Sequence, residues 1–404
     1  MGRMLPHFFR IALVLGLLQA IGPFAIDMYL PALPSIGTSL GASAAAVQAS
    51  LMAFLLSLGL GQMVYGPASD MLGRKRPLYF GLAVFAIGSV GCALAPDIHS
   101  LLLWRFVQGL GACAGMVVPR AVVRDLHTGA EAARLMALLT LVFSVSPILA
   151  PLFGSFLIEW SGWRAVFWAV TVAAVLAVGL LATSLPETRS AEQRLGSSVP
   201  SALAAYWLLL RDGHFMGLVL IGGFGIAAFF AYLANSSFVL IDHYGLSPRQ
   251  YSYAFAANAA SFIGMSQLTG RMIQRLGMVP LVKGAVACFA GVMLLALLLN
   301  WLGLDGMWLM LGLLFVGYGC LGLVMPSSAV LALDAHGAIA GTASALMGTL
   351  QFMTGAAVMA VVGLFADGTA RPMLAGIAGA ATLTLLITFK TLGRGQVAQP
   401  AIQG

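Results

Sequence analysis

Charged residues are scarce in this chain of 404 residues: Asp, Glu, Lys and Arg make up 8% of it, whereas 60% is hydrophobic. About a quarter of an ordinary soluble domain is charged, so the composition excludes a soluble globular protein. Apolar runs of about 20 residues, enough for one helix to cross the hydrocarbon core, recur along nearly the whole length. Strict alternation of apolar and polar residues is absent. Membrane-spanning helices rather than a β-barrel are therefore predicted.

Residues that catalyse reactions or hold metal ions are also few and scattered. The six histidines lie at the ends of apolar runs or in loops, and the four cysteines lie within the runs without the spacing of metal ligands. No His-Glu-x-x-His, nucleophile-elbow or phosphate-loop motif occurs, which argues against a membrane enzyme and against direct use of ATP. We expect no metal site, no cofactor and, because the basic residues belong to membrane loops, no nucleic-acid partner.

The apolar runs between turns and charges predict twelve membrane-spanning helices. They lie at 11–33, 45–66, 77–95, 100–122, 134–158, 164–185, 213–240, 249–270, 279–301, 307–332, 340–365 and 372–391. With these spans, nearly all Lys and Arg residues border the side of the membrane that holds both termini, and only Arg164, Arg249 and Arg371 border the other side. Because positive residues mark the cytoplasmic face, both termini are predicted to be cytoplasmic, as in a bacterial inner-membrane protein.

A long polar connection divides the spans into two sets of six. We expect an N-terminal six-helix bundle over 1–185, a cytoplasmic linker over 186–212, a C-terminal six-helix bundle over 213–391 and a cytoplasmic tail over 392–404. Residues 201–210 of the linker are expected to form an amphipathic helix on the membrane surface. The fold class is thus an all-α polytopic membrane protein.

The connection between the second and third spans has a distinctive sequence, GPASDMLGRKR over 66–76. Its Gly-x-x-x-Asp-x-x-Gly-Arg-Lys spacing resembles the loop between helices 2 and 3 of the major facilitator superfamily of secondary transporters. The resemblance implies the major facilitator fold and proton- or ion-coupled transport of a small solute, without catalysis. The alternative is a basic loop that only sets the topology.

The same glycine spacing occurs in the second half of the chain. Gly66 and Gly73 have counterparts in Gly270 and Gly277, each pair seven residues apart and each following the second span of its half. Parallel internal repeats would produce this pattern. Because Gln274 stands where the first copy has an acid, only the first copy is expected to form a gate.

The resemblance also implies a cytoplasmic gate around that acid. Asp70 is expected to interact with Arg74 and Arg124 and to face the start of the eleventh span, which follows Gly337 and Gly341. A carboxylate at a helix N-terminus gains about 0.3–1 kcal/mol from the helix dipole. The alternative is a surface ion pair of little energy. The expected gate residues are Gly66, Asp70, Gly73, Arg74 and Arg124.

Asp27 and Arg105 are the two charged residues that fall deep within the predicted spans. A charge at mid-membrane costs about 3 kcal/mol, so each one marks a functional site. A carboxylate in a low dielectric binds a proton more readily than it does in water, which makes Asp27 a proton-coupling residue. The alternative is an interfacial acid that caps the helix end near Pro31. For Arg105 the choice is between tuning the acid from nearby and snorkelling to the interface.

The sequence around these two residues is similar to a narrower group within the superfamily. DMYLPALP over 27–34 closely resembles the first helix of the Bcr/CflA-type drug exporters, and an acid at this place is the protonation site in related drug/proton antiporters. Arg105 lies in a stretch that resembles the Arg-x-x-x-Gly signature of helix 4. Gln19 occupies the place at which some relatives carry a second acid, so a two-carboxylate mechanism is not implied.

The fifth span resembles the antiporter signature Gly-Pro-x-x-Gly-Gly of helix 5. Pro147, Ala150, Pro151 and Gly154 are its expected functional positions, although Ala150 and Ser155 replace two of the glycines. Small residues four apart permit close helix contact, and the prolines permit bending.

Aromatic and amide residues on the first, seventh, eighth and eleventh spans suit a pocket for an amphipathic drug. The expected substrate-binding residues are Tyr29, Tyr232, Asn235, Phe238, Asn258 and Gln351. The sequence thus predicts a monomeric, proton-coupled multidrug efflux antiporter whose partners are a small drug or metabolite, protons and the lipid bilayer. The alternative of the same fold is a proton symporter that imports a small neutral nutrient.

Overall fold

The computed structural model describes residues 4–127, 129–190, 192, 194, 199–304, 306–336 and 339–393. These residues form long helices joined by short turns, and they contain no strand. The helices are α1 (Met4–Asp27), α2 (Leu33–Leu40), α3 (Ala44–Leu72), α4 (Lys75–Leu94), α5 (Ile98–Leu126), α6 (Gly129–Ser161), α7 (Arg164–Ser184), α8 (Val199–Arg211), α9 (Gly213–Ser237), α10 (Pro248–Leu276), α11 (Met278–Trp301), α12 (Met307–Asp334), α13 (Ala340–Leu364) and α14 (Arg371–Leu392).

Eleven helical stretches in the described residues are long and apolar enough to cross a membrane. The remaining predicted span, 249–270, lies in α10, which has 29 residues and a length of about 44 Å. α10 is long enough to cross but less apolar, because it carries polar residues such as Asn258 and Ser261 along the face that packs on other helices. The predicted all-helical, multi-pass membrane fold is confirmed. The predicted tail lies outside the described residues from 394 onwards.

The helices of the second half pack in the same pairs as those of the first half. α3 packs on α5, α4 on α5, and α4 on α7, and the corresponding pairs later in the chain are α10 with α12, α11 with α12, and α11 with α14. α1 contacts α5, α6 and α7, and α9 likewise contacts α12, α13 and α14. This repeated pairing is what parallel repeats produce.

The halves meet where α3 packs on α13, where α6 packs on α10 and where α3 touches α9. We call these contacts the seam. In its first part, the Thr349 hydroxyl donates to the carbonyl oxygen of Gly59 at 2.8 Å. Gly59 also faces Phe352 so closely that a Cβ would force that side chain to move. Small residues therefore bring the two halves into direct contact.

The helix ends collect at two levels, which we name the basic end (residues 70–76, 124–126, 187–189, 211–214, 334–336 and 339–341) and the distal end (28–48, 95–98, 161–164, 235–252 and 363–371). Contacts between sequence-distant residues define each level. At the basic end, Arg124 lies 3.7 Å from the place that a Cβ on Gly341 would occupy. At the distal end, Arg164 donates to the Ala95 carbonyl at 3.0 Å.

Several helices run past the predicted spans at the basic end. α3 continues to Leu72, α5 continues to Leu126, and α6 begins at Gly129. Hydropathy marks only the part of a helix that lies in lipid, whereas hydrogen bonding along the backbone continues into water. The helix predicted over 201–210 is present as α8.

The contact between α4 and α5 depends on glycines. A Cβ on Gly111 would collide with the backbone of Phe85 and Gly81, and one on Gly88 would collide with the backbone of Gln108. Backbone atoms cannot yield as the end of a flexible side chain can. The two helices are therefore as close as their backbones allow.

This packing predicts that Gly111→Ala destabilises the protein by about 1–3 kcal/mol, because the added methyl group overpacks a rigid contact. Thermal unfolding of the purified protein in detergent measures the change. Gly291→Ala in α11 is the matched control, since nothing lies within 4 Å of its added Cβ. Equal melting temperatures for the two variants would contradict the proposed helix contact.

Candidate transport site between the halves

Asp27 is the last residue of α1, where the helix breaks. The chain then passes through a 3₁₀ turn, Leu30–Ala32, into α2, so α1 ends within the first predicted span and α2 continues beyond it. The carboxyl group is buried, with 5% of the side chain exposed. Its Oδ2 accepts a long hydrogen bond of 3.4 Å from the Ser146 hydroxyl of α6. Among the described residues no cation lies within ion-pair distance of it.

A cavity of about 170 Å³ lies beside Asp27, between the two halves. The first half contributes Asp27 with Pro23 and Ile26 of α1, Met116 of α5 and Pro147 of α6. The second half contributes aromatic residues from four helices. They are Phe229, Phe230, Tyr232, Phe255, Phe262, Tyr318 and Phe352. The cavity is therefore an aromatic chamber, and the described residues place one carboxyl group in its wall.

The aromatic wall is fixed by ring contacts and two polar bonds. The ring of Tyr232 stacks on that of Phe255 with their centroids 5.7 Å apart. It also packs against the ring of Tyr318, with a distance of 5.2 Å between the centroids. Asn258 donates to the Tyr232 hydroxyl at 3.0 Å, and the Tyr318 hydroxyl donates to the Ala228 carbonyl at 3.4 Å. The wall thus has defined shape, and its few polar groups are already partnered.

Of the six residues predicted to bind substrate, Tyr232 and Asn258 line this cavity. The other four are buried elsewhere. Asn235 accepts a hydrogen bond of 2.9 Å from Gln48 across the seam, and Phe238 begins a π-helical turn at the distal end. Gln351 packs against Gly222 of α9.

Tyr29 lies in the interior of the first half, where its hydroxyl hydrogen-bonds to the Ser50 hydroxyl at 2.6 Å. The guanidinium of Arg105 lies 4.3 Å from the ring centroids of both Tyr29 and Phe54. Its Nη1 donates to Gln108 Oε1 at 2.6 Å and to the Ala25 carbonyl at 3.3 Å. Tyr29 therefore forms part of the surroundings of Arg105 rather than of the cavity wall.

The burial of Arg105 excludes the expectation that it snorkels, because the side chain has no exposed surface. It forms no ion pair with Asp27 in the structure either. Its Nε and Nη2 lack a hydrogen-bond partner among the described residues. The aromatic rings and the Ala25 carbonyl, two residues before the acid, hold the cation close to the end of α1.

The four positions of the fifth-span motif lie where α6 meets α1 and α10. Gly154 sits against the Met28 carbonyl with no room for a Cβ, and Ala150 is fully buried. The Pro151 carbonyl accepts a hydrogen bond of 2.9 Å from Ser252 of α10, and Pro147 lines the cavity. The motif therefore fits α6 closely to the bend beside Asp27 and to the other half.

At the basic end, Arg74 is the centre of an ion-pair cluster. It is 3% exposed, and it donates to Asp70 at 2.7 Å and to both carboxylate oxygens of Asp125 at 2.6 and 3.0 Å. The predicted contact between Asp70 and Arg74 is thus present. The second cation at Asp70 is Arg189 at 3.3 Å, where Arg124 was expected. Arg124 instead lies beside Gly341 at the start of α13.

The linker closes over this cluster. Glu187 accepts hydrogen bonds from the backbone N–H groups of Arg74 at 2.8 Å and Lys75 at 3.1 Å, at the start of α4. The Thr188 hydroxyl donates to Asp125 at 3.0 Å. Partial burial would raise the pKa of Glu187, but the N–H groups of Arg74, Arg189 and Lys75 outweigh it and hold that pKa below its ordinary value.

Sequence reasoning missed Gln48, Ser146 and Asp125. Gln48 had a detectable signal, since it is an amide at the start of an otherwise apolar span. Ser146 and Asp125 had no such signal, since one is a small residue within an apolar span and the other is an acid beside a basic residue at the end of a span. Nothing in the sequence distinguishes the phenylalanines of the cavity from those that face lipid.

Comparison with known proteins agrees with this architecture. The family model of the Major Facilitator Superfamily matches residues 15–360. The uncharacterized MFS-type transporter YdgK of Bacillus subtilis is 37% identical over 90% of this chain and 90% of its own. A bicyclomycin resistance protein homolog of Haemophilus influenzae is 29% identical over 94% of this chain and 96% of its own. The crystal structure of a D-xylose-proton symporter shares the fold, with a TM-score of 0.76, 16% identity and coverage of 96% and 97%. The predicted superfamily is confirmed: this chain belongs to the Major Facilitator Superfamily of membrane transporters.

Proposed function

We propose that the chain exports small amphipathic compounds in exchange for protons, by alternating access between the two halves. The observation that carries the proposal is Asp27, a buried carboxyl group that lies in the wall of an aromatic cavity and has no cationic partner among the described residues. The relative named for bicyclomycin resistance supports a drug as the exported compound. The same reasoning assigns no enzymatic activity to the chain.

Proton coupling follows from the surroundings of Asp27. A carboxyl group that is removed from water and unpaired is more stable in its protonated form than one at the surface. Protonation from the distal side removes the charge and weakens the site for the compound. Loss of the proton to the basic side restores the charge and the affinity. One group that serves proton and compound in turn gives antiport.

The cavity favours a compound with a large apolar surface. Its polar side chains among the described residues are Asp27, Tyr232, Asn258 and Tyr318, and the Tyr232 hydroxyl is already engaged by Asn258. A polyhydroxylated nutrient would leave most of its hydroxyl groups without partners there. The import of such a nutrient, the alternative of the same fold, is therefore disfavoured by the chemistry of the wall.

The contacts of the seam support closure at the distal end in this structure. Gln48 and Asn235 join α3 to α9 near that end, and the bond from Ser252 to Pro151 joins α10 to α6. We assign the opposing gate to Gly66, Asp70, Gly73, Arg74 and Arg124 at the basic end. When the halves close there, the start of α13 approaches Asp70, and its N-terminus stabilises the acid.

The proposal also includes the orientation of the chain in the membrane and the motion of its two bundles. Since positive residues gather at the basic end, that end faces the cytoplasm of a bacterium, with the chain in the inner membrane and both termini inside. The two bundles, 1–185 and 213–391, rock as units about the cavity, and the linker 186–212 joins them. A single chain contains the whole cavity, so a monomer is sufficient for transport.

Asp27→Asn should abolish transport driven by a pH gradient, because the amide cannot take up or release the proton. Proteoliposomes with an imposed gradient and a panel of lipophilic cations and neutral drugs provide the measurement. Asp367→Asn is the control, since that acid is exposed in the turn before α14 and bonds only locally to Thr369. Gradient-driven transport that persists in Asp27→Asn would move the coupling site elsewhere.

The variants Asn258→Ala and Gln351→Ala compare an amide that lines the cavity with a buried amide that does not. Loss of a hydrogen bond at Asn258 costs about 0.5–1.5 kcal/mol, which corresponds to a rise of roughly two- to tenfold in KM for a polar drug. Gln351→Ala should leave that KM nearly unchanged, because Gln351 does not line the cavity. Concentration-dependent uptake gives both values, and the reverse order would reject the assigned wall.

Glu187→Gln should lower the melting temperature at neutral pH, because a neutral amide holds the start of α4 more weakly. The pKa of Glu187 is lowered from the ordinary 4.5, so its contribution is present above that value and is lost as the pH falls through the lowered pKa. The difference from the wild type should therefore shrink on acidification. Exposed Glu192→Gln is the control and should match the wild type throughout. A difference that is constant with pH would refute the role of the charge.

A further inference from the structure

The linker helix α8 cannot cross the membrane. It has 13 residues and a length of about 20 Å, against about 30 Å of hydrocarbon. It connects α7, which ends at Ser184, to α9, which begins at Gly213, so both of its ends are tied to the basic end. It therefore lies on or in one membrane face.

One side of α8 is docked on the transmembrane helices. Leu209 is fully buried, Tyr206 is 5% exposed, and the Tyr206 hydroxyl donates to the Met63 carbonyl of α3 at 3.4 Å. α8 also packs on α13. It thus rests on both helices of the first part of the seam.

The depth of this contact places α8 below the membrane surface. Met63 lies nine residues before the end of α3 at Leu72, which is about 14 Å along the helix axis. Val64, the next residue, points outward with 62% of its side chain exposed, as a lipid-facing residue does. α8 therefore docks on the apolar, lipid-facing part of α3 and not on the water-exposed end of that helix.

The outer side of α8 is apolar, and none of the residues that the structure describes covers it. Val199, Leu203 and Trp207 follow one another at intervals of four and are 51%, 59% and 58% exposed. The Arg211 guanidinium lies 4.5 Å from the centre of the Trp207 ring. Such a face is unfavourable in water, whereas tryptophan with a neighbouring cation is typical of the boundary between acyl chains and headgroups.

We propose that α8 is embedded in the leaflet at the basic end, with Val199, Leu203 and Trp207 among the acyl chains and Arg211 at the headgroups. The occupant of this face is lipid. Because α8 docks on α3 and α13, the leaflet holds the helix against the seam between the halves. The placement of α8 in lipid does not depend on what the protein transports.

Trp207 itself reports on this placement. Of the seven tryptophans it is the one at the basic end, the others being Trp104, Trp160, Trp163, Trp168, Trp301 and Trp308. The difference in fluorescence between the wild type and Trp207→Phe isolates its emission. The full chain is reconstituted in phosphatidylcholine vesicles whose acyl chains carry bromine close to the headgroup, and iodide serves as the aqueous quencher.

The expected result is that brominated lipid removes most of the Trp207 emission and that iodide leaves it largely intact. Quenching by iodide without quenching by bromine would overturn the proposal, because the face would then be in water. Resistance to both quenchers would overturn it as well, since protein, such as a second copy of the chain, would cover the face.

Two further variants guard against misfolding and calibrate the signal. Leu203→Trp in the Trp207→Phe background moves the probe one turn along the same face and should restore the quenching by bromine. Glu192→Trp in that background places it at an exposed linker position, where iodide should quench it. If Leu203→Trp behaved like Glu192→Trp, α8 would not lie in the leaflet. An unchanged melting temperature of Trp207→Phe shows that this variant is folded, so the difference between its emission and that of the wild type can be assigned to Trp207.

Discussion

The cost of holding a charge away from water governs the interior of this protein. Two residues that are charged in water at neutral pH, Asp27 and Arg105, lie deep within its first half, and they avoid that cost differently. Arg105 cannot discharge, so it is enclosed by aromatic rings and carbonyl oxygens that stabilise a cation. Among the described residues, Asp27 has only the weak bond from Ser146, and the proposed mechanism has it lose its charge by binding a proton. In the proposed mechanism, the acid is therefore the group that changes its charge during transport.

The same constraint explains the arrangement of the rest of the structure. Strong ion pairs gather at the basic end, where Arg74 connects the loop after α3 to the end of α5 and the linker adds Glu187 and Arg189. The seam, by contrast, uses hydrogen bonds between uncharged groups and close contact at glycines. A contact that must form and break repeatedly is better made from groups that lose little when water replaces their partners.

The sequence predicted the parts of this architecture that follow from composition and local order. Long apolar runs gave the helices, and the rarity of intramembrane charge singled out Asp27 and Arg105. It did not predict which aromatic residues face the cavity, because Tyr29 and Tyr232 both lie in predicted apolar spans and are separated by the packing of distant helices. For the same reason Arg189, more than a hundred residues away in the chain, took the place next to Asp70 that Arg124 was expected to fill. α10 was recognised as a span, although its polar packing face makes it less apolar than the others.

The neutral bonds of the seam have an electrical consequence. Each elementary charge that crosses the membrane potential gains or loses about 2.3 kcal/mol per 100 mV. The bonds from Gln48 to Asn235, from Ser252 to Pro151 and from Thr349 to Gly59 carry no charge, so breaking them is insensitive to voltage. Under the proposed mechanism, any current during turnover then comes from the cargo and from the proton on Asp27. Exchange of one proton for a neutral compound would carry net current, and exchange for a monovalent cation would be electrically silent.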